Sequence, residues 1–178
     1  GVIQISPQAG YQSVPGHPEI EVPSFLPLDG WKEAAQSGGL YYAGDQNWRK
    51  VNLKPGNGIV YVDGDVEINN KSSIEGTLVS SGTITINNRF NQTSVSGTRP
   101  ALLAAVNVHM FNRNRYTGVV WAGNNIVTRN NKVIDGALVA LNNIYLENKA
   151  QLPGTWDPPE WDPSGQPDPE VIVGGWLE

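Results

Sequence analysis

The sequence predicts an all-β protein, a single-stranded parallel β-helix or β-solenoid of about five coils with about 18 residues in each. A short apolar motif begins at Gly58, Gly76, Ala101, Gly118 and Gly136, at spacings of 18, 25, 17 and 18 residues. A period near 18 is too short for two helices and their turns. It suits one solenoid coil, because each turn of chain adds a rung of about 4.8 Å to every face. Parallel crossovers are right-handed as a rule, so we expect a right-handed solenoid.

Alignment of the coils gives columns of equivalent residues, and five columns are predicted to point inward. They hold 25 side chains, of which 23 are apolar, and they alternate with outward positions as a pleated strand requires. We therefore expect a dry interior. The most regular column is Val66, Ile84, Val108, Ile126 and Ile144. The column nearest the start of each coil is Val60, Leu78, Leu103, Val120 and Leu138, and the last is Ile74, Val95, Tyr116, Ile134 and Leu152.

Two further columns hold residues that are typical of turns. The first is predicted to form a left-handed corner, because its residue types tolerate that backbone conformation: Gly64, Gly82, Asn107, Asn124 and Asn142. The second is Asn in every coil: Asn70, Asn88, Asn112, Asn130 and Asn148. Stacked carboxamides can hydrogen-bond from rung to rung and to the turn backbone, so we interpret this column as a structural ladder. A polar binding row is the alternative.

The flanks differ in composition from the repeats and divide the chain into three regions. Residues 1–57 are predicted to form an extended Pro-containing segment and a short capping helix. Residues 58–153 form the predicted solenoid, and residues 154–178 form a Pro- and Trp-rich C-terminal wrap that cannot be regular structure. We expect these irregular flanks to pack on one face of the solenoid.

One predicted face of the solenoid needs a cover. Its outward columns are as apolar as its inward ones, so they should not face water. We expect the segment from Trp31 to Tyr42, together with the Trp-rich tail, to cover this face. The helix in that segment is predicted to have Asp29 as its N-cap and to stop at Gly38-Gly39. Coverage by a neighbouring subunit is the alternative.

Charge and composition limit the classes of function that the sequence supports. The net charge is −5, with +2 on residues 58–153 and −7 on the flanks. This distribution argues against a nucleic-acid-binding protein dominated by charge. The chain has no Cys, which rules out disulfides and thiolate metal sites. Because it begins at Gly1 without Met, we expect it to be a processed or truncated fragment.

The sequence does not predict an enzyme, a cofactor or a metal site. The two histidines, His17 and His109, lack an obvious Ser or Asp partner. The closest carboxylates are Asp63, Asp65 and Glu67, and a calcium ion needs six to eight oxygens, which these residues do not supply without a matching row in the next coil.

A row of cations follows the Asn column and is the candidate binding site. We call it the basic row, and it reads Lys71, Arg89, Arg113, Asn131 and Lys149, with Arg115 and Lys132 close by. Such a row could bind an anionic polymer such as DNA or an acidic glycan. The alternative is a solvated turn edge that deters aggregation.

The repeats and flanks together resemble a known family. Gly58-Ile-Val-Tyr-Val-Asp-Gly-Asp-Val-Glu-Ile with its recurrences, the Pro-rich entry with a Trp-containing helix, and the final Val-Gly-Gly-Trp are similar to type IV pilus-associated proteins, namely the extracellular β-solenoid region of PilX-like and large minor pilins. Bactofilins share the coil pattern but not the flanks. The resemblance implies a non-catalytic structural or adhesive module at the bacterial cell surface, with other appendage subunits as partners. A glycan or DNA ligand, and a bactofilin-like self-assembling filament, are the alternatives. These pilus proteins begin with a hydrophobic assembly helix that this sequence lacks, so we expect no membrane contact from this fragment.

Overall fold

The computed structural model describes residues 4–5, 25–93, 99–130 and 133–147. Within them the chain contains one helix and short strands that all pair in parallel. In chain order the elements are β1 (Gln4–Ile5), α1 (Asp29–Gly38), β2 (Leu40–Ala43), β3 (Gln46–Arg49), β4 (Asn52–Leu53), β5 (Ile59–Asp63), β6 (Val66–Asn69), β7 (Ser73–Glu75), β8 (Thr77–Ser80), β9 (Ile84–Ile86), β10 (Asn91–Thr93), β11 (Leu102–Ala104), β12 (Val108–Phe111), β13 (Arg115–Thr117), β14 (Val120–Ala122), β15 (Asn125–Arg129), β16 (Val133–Asp135), β17 (Leu138–Ala140) and β18 (Asn143–Glu147).

The strands form three parallel sheets, which are the three faces of a β-solenoid. The first face has the order β17-β14-β11-β8-β5-β2, the second β1-β18-β15-β12-β9-β6-β3, and the third β16-β13-β10-β7-β4. Each full coil contributes one strand to each face, so the chain winds about six times. This confirms the predicted fold class.

The column that most clearly predicts the fold is stacked in register along the second face. Val66 pairs with Ile84, which pairs with Val108, and the line continues through Ile126 to Ile144. The first four side chains are at most 1% exposed, and Ile144 packs against the same core from the last coil. The alternation of β-branched residues with polar ones therefore places a continuous apolar line inside the solenoid.

The winding begins one coil earlier than the repeats indicate. Strand β2 pairs with β5, so that Leu40 lies beside Val60. Strands β3 and β4 continue this coil on the other two faces. The segment after the helix therefore extends the first sheet edge to edge instead of lying across its outer surface. This register places Gly38 opposite Gly58, but the residues that follow it read Gly-Leu-Tyr-Tyr-Ala and the spacing to the next coil is 20 residues. The first coil therefore departs from the repeat in both composition and length, which is why the repeat search begins at Gly58.

Three predicted inward positions are wrong, and all lie near the long coil. Leu102, and not Leu103, pairs with Leu78 and Val120 and joins the inner core, whereas Leu103 belongs to the outer apolar cluster. The same shift makes Ala104 the inward residue, whereas Ala105, which the repeat count places inside, packs against the outer cluster. A slip of one residue moves a side chain to the opposite face of a strand. On the third face, Gln92 pairs with Ile74 in the position predicted for Val95, which lies outside the described residues.

The predicted left-handed corner is also misplaced. Among the described residues of that column, only Gly64 has a positive φ, at 156°. The left-handed non-glycine residues lie instead at the following corner, between the second and third faces. They are Lys50, Asn70, Lys71, Arg89, Asn112, Arg113 and Asn130, with φ between 48° and 63°.

The apolar outer surface of the first face is covered by the chain itself. An outer cluster joins Phe25, Leu28 and Ala35 of the helical segment to strand residues of the first face, including Val79 and Trp121. The helix begins at Asp29 and its N-cap is Leu28, so Asp29 is the first helical residue and not the N-cap that the sequence predicted. The predicted contribution of the C-terminal wrap lies outside the described residues.

Candidate functional site

The candidate site is the corner between the second and third faces, where the chain turns with left-handed residues. Four of these residues are cations in one column: Lys50, Lys71, Arg89 and Arg113. On the third face, Asn52, Ser73, Asn91 and Arg115 pair in one register line, and each of the four cations lies two residues before one of them. We call the four cations, Lys50, Lys71, Arg89 and Arg113, the cationic column.

The side chains of the cationic column are exposed and lack acidic partners. All four residues are exposed. The ion pairs within the described ranges involve other cations, and they are Lys32–Asp63, Lys54–Glu75 and Arg129–Glu147. Like charges one rung apart, at about 5 Å, repel by about 0.8 kcal/mol per pair in water. The column is therefore a line of solvated positive charge, with nothing in the described part of the chain to neutralise it.

The structure brings together three of the predicted members of the basic row and adds one. Lys71, Arg89 and Arg113 share the column, and Arg115 follows as the first residue of β13 and is exposed. Lys132 and Lys149 lie outside the described residues. Lys50 is the member that the sequence did not reveal, because its coil was not recognised as a coil. Its signal is the Arg49-Lys50 pair at the end of an alternating segment around Trp48.

The predicted Asn ladder lies beside the cationic column. Asn70, Asn112 and Asn130 all have left-handed backbones. The Asn130 side-chain amide donates to Asn112 Oδ1 at 2.9 Å, and the Asn112 amide donates to the carbonyl oxygen of Asn87 at 3.2 Å. Asn88 is exposed, and Asn148 lies outside the described residues. The rung-to-rung carboxamide bond expected of a structural ladder is thus present between Asn112 and Asn130.

Additional carboxamide ladders occur where the sequence suggested only a turn. Asn142 Nδ2 donates to Asn124 Oδ1 at 3.2 Å, and Asn124 Nδ2 donates to Asn107 Oδ1 at 3.1 Å. Asn143 and Asn125 are linked in the same way at 3.1 Å. These bonds join the last three coils at the corner before the second face. The sequence signal for these ladders was the recurrence of Asn at positions 107, 124 and 142. This recurrence indicates side-chain stacking between coils, and not the left-handed backbone that we predicted for it.

The carboxylates near the start of the solenoid have structural partners. Asp63 Oδ2 accepts from Lys32 Nζ at 2.5 Å, and this hydrogen bond lowers the pKa of the Asp63 carboxyl. Asp65 Oδ1 accepts from the backbone N–H of Thr83 at 2.7 Å. Glu67 accepts from the side-chain amides of three residues: Asn47, Asn69 and Asn87. Within the described ranges, no group of three or more His, Cys, Asp or Glu residues could hold a metal ion.

His109 lies on the outer surface of the second face. Its ring centroid is 6.0 Å from that of Phe111, and burial together with the charge of Arg129 lowers the pKa of the imidazole. The guanidinium of Arg129 stacks over Phe111 at 5.5 Å and also pairs with Glu147. His17 lies outside the described residues.

The fold and the corner together define a parallel β-solenoid that carries an exposed cationic edge. No family model, no curated protein and no solved structure matches this chain. Among the described residues, no helix has both the length and the apolar character needed to cross a membrane.

Proposed function

We propose that this chain is a non-catalytic structural or adhesive module of a bacterial cell-surface appendage, associated with a type IV pilus and similar to a minor pilin. The observation that carries the proposal is which outer surfaces of the solenoid are covered and which are exposed. The apolar first face is covered by residues of the chain's own helical segment, while exposed polar and charged rows run along other parts of the solenoid. A rigid body with ordered polar rows is suited to contact with other molecules in water.

The stacking of the coils supports a mechanical role as well. Successive coils are joined by parallel backbone pairing along the three faces, and carboxamide bonds at two corners also link the later coils. Such a stack presents side chains at fixed intervals along its axis. Partner subunits of the appendage and a surface ligand would then meet a surface of defined shape.

Immunogold electron microscopy of the source cells tests this proposal. Antibodies raised against the 178-residue chain should label surface appendages, and the chain should be found in the sheared appendage fraction. Antibody adsorbed beforehand with the purified chain is the control, and it should remove the label. Labelling confined to the cell interior would refute the proposal.

Binding of an anionic polymer is the second candidate function. The observation that favours it is the exposed cationic column, which has no acidic partner within the described ranges. Titration with DNA and with an acidic glycan at two salt concentrations tests it. Binding should weaken as salt rises and should be lost when Arg89 and Arg113 are changed to Ser.

Self-assembly into a bactofilin-like filament is less well supported. Strand β1 pairs with β18, so the chain's own strand already occupies the edge of β18 on the second face. A second copy could not add a strand there without displacing it. Light scattering and electron microscopy of the purified chain should therefore show monomers at modest salt, and filaments would count against this argument.

A further inference from the structure

The backbone at the candidate corner does not account for the choice of cations there. A left-handed conformation is adopted most easily by Gly and next by Asn or Asp, because other side chains crowd the following carbonyl. The coils that contain Asn70 and Asn112 already place Asn at one left-handed position, yet the next residue, also left-handed, is Lys71 or Arg113. Arg89 and Lys50 occupy the same kind of position in their coils. Long cationic side chains therefore stand at four positions where Gly or Asn would fit with less strain.

The electrostatics of the corner do not account for the cations either. The four charges repel one another along the column, and none of them forms an ion pair within the described part of the chain. Folding alone would favour neutral residues there. The backbone strain and the charge repulsion are both explained if a negatively charged molecule binds along the corner. Such a molecule would neutralise the repelling charges, and the side chains project outward, where they can contact it.

We infer that the cationic column binds a linear acidic polysaccharide that runs parallel to the solenoid axis. Successive cations are separated by one rung, about 4.8 Å, so the matching ligand carries anionic groups in a regular line. Guanidinium and ammonium groups bind its carboxylates or sulfates. The inference names the ligand of the adhesive function proposed above and takes its biological setting from that function.

The neighbouring side chains favour a sugar polymer over a nucleic acid. Asn70 and Asn88 beside the column are exposed, and their carboxamides have donors and acceptors that suit the hydroxyl groups of sugars, whereas Asn112 and Asn130 are bonded to each other in the ladder. A platform for stacked bases requires exposed aromatic rings. Phe90, the aromatic residue next to Arg89, is only 2% exposed and packs inside the solenoid against Tyr116 at 5.8 Å. Phe111, two residues before Arg113, lies on the outer second face, and its ring is already covered by the guanidinium of Arg129 at 5.5 Å. Within the described ranges the column therefore provides charge and hydrogen bonds, with no uncovered aromatic ring beside it on which bases could stack.

Calorimetric titration of the full chain with polygalacturonate tests the inference, and neutral dextran is the uncharged control. Binding should weaken by about 50-fold between 50 and 200 mM salt if four counterions are released as from a flexible single-stranded polyanion. A triple variant, Lys71→Gly with Arg89→Gly and Arg113→Gly, should lose most of the affinity and most of the salt dependence. Its melting temperature should equal or exceed that of the wild type, since Gly fits a left-handed position without strain.

A matched control removes three positive charges elsewhere: Lys54→Gln, Arg99→Gln and Arg129→Gln. This variant has the same net charge as the triple Gly variant and should keep the wild-type affinity. If the triple Gly variant does not fold, the corresponding Asn variants provide the same test, because Asn also tolerates the left-handed conformation.

Three results would overturn the inference. They are wild-type affinity in the triple Gly or Asn variant, an equal loss in the matched control, and tighter binding of single-stranded DNA than of polygalacturonate. The titration uses purified protein and does not depend on where the chain resides. A failure to bind would therefore leave the immunogold result intact, and a failure of surface labelling would leave the titration intact.

Discussion

The substitution Gly76→Ala tests how closely the coils are stacked at the corner that opens the first face. Gly76 has a φ of 122°, a conformation that residues with a Cβ rarely adopt. A Cβ built there would lie 2.1 Å from the carbonyl oxygen of Gly58 in the preceding coil. That oxygen cannot move freely, because it accepts a hydrogen bond from the backbone N–H of Thr77 at 2.8 Å.

The expected loss can be worked from these two contributions. A strained backbone conformation costs about 1–3 kcal/mol, and a disturbed backbone hydrogen bond about 0.5–1.5 kcal/mol. The free energy of unfolding of Gly76→Ala should therefore fall by about 3 kcal/mol. For a chain of this size that corresponds to a melting temperature lower by roughly 6–12 °C. Thermal and urea unfolding followed by circular dichroism would measure both quantities.

The control is Gly30→Ala in helix α1. A Cβ at Gly30 would meet nothing within 4 Å, and Ala is favoured over Gly in a helix by about 1 kcal/mol. This variant should be as stable as the wild type or more stable. If Gly76→Ala and Gly30→Ala had the same stability, the close approach of successive coils at this corner would be wrong.

Three further substitutions test the cover, its ion pair and the core. Trp121→Ala should lower the free energy of unfolding in urea by about 3–5 kcal/mol, because the ring is fully buried and packs edge-on against Phe25 at 5.4 Å; a loss below about 1 kcal/mol would contradict a covered first face. Asp63→Asn should lower the melting temperature at pH 7. The pKa of Asp63 is lowered in the folded state, chiefly by the hydrogen bond from Lys32. The ionised carboxylate therefore contributes to the free energy of unfolding above the unfolded pKa, and this contribution is lost as the pH falls through the folded pKa. The difference from the wild type should disappear in acid, and a difference that persists there would contradict this origin. Tyr116→Phe should be neutral or stabilising by about 1 kcal/mol in urea unfolding, because the buried hydroxyl makes no well-formed hydrogen bond within the described ranges and Asn114 beside it is bonded to the backbone of Phe90 and Phe111; a loss of more than about 1 kcal/mol would show that the hydroxyl is bonded to Asn114.

Much of the fold could be predicted because its interior is encoded by a local alternation that recurs. The line from Val66 to Ile144 combines apolar character, β-branching and constant spacing, and a side chain buried in one coil requires one in the next. The errors arise where that regularity stops. Around Leu102 and Leu103 every residue is apolar, so alternation gives no register, and the preceding long coil shifts the count.

Other errors arise from contacts that the repeat pattern does not contain. Gln92 is acceptable in the core only because its amide donates to the carbonyl oxygen of Gly76 at 2.7 Å, a partner supplied by the folded corner. The candidate site was predicted only in part, because one of its residues does not follow the repeat pattern. Lys71, Arg89 and Arg113 share a repeat position, whereas Lys50 joins their column through a coil of different length and composition. The left-handed backbone could not be foreseen, because Lys and Arg rarely adopt it.

The pairing of β1 with β18 has a consequence for the order in which the molecule forms. Gln4 lies beside Tyr145, so a segment that is synthesised before the coils meets its partner only after nearly the whole described chain has been made. The intervening coils can stack one upon another as they emerge, whereas this contact must await the last of them. Release of β1 would uncover β18 and leave the pairing among the preceding coils in place, so unwinding of the described coils should begin at β18.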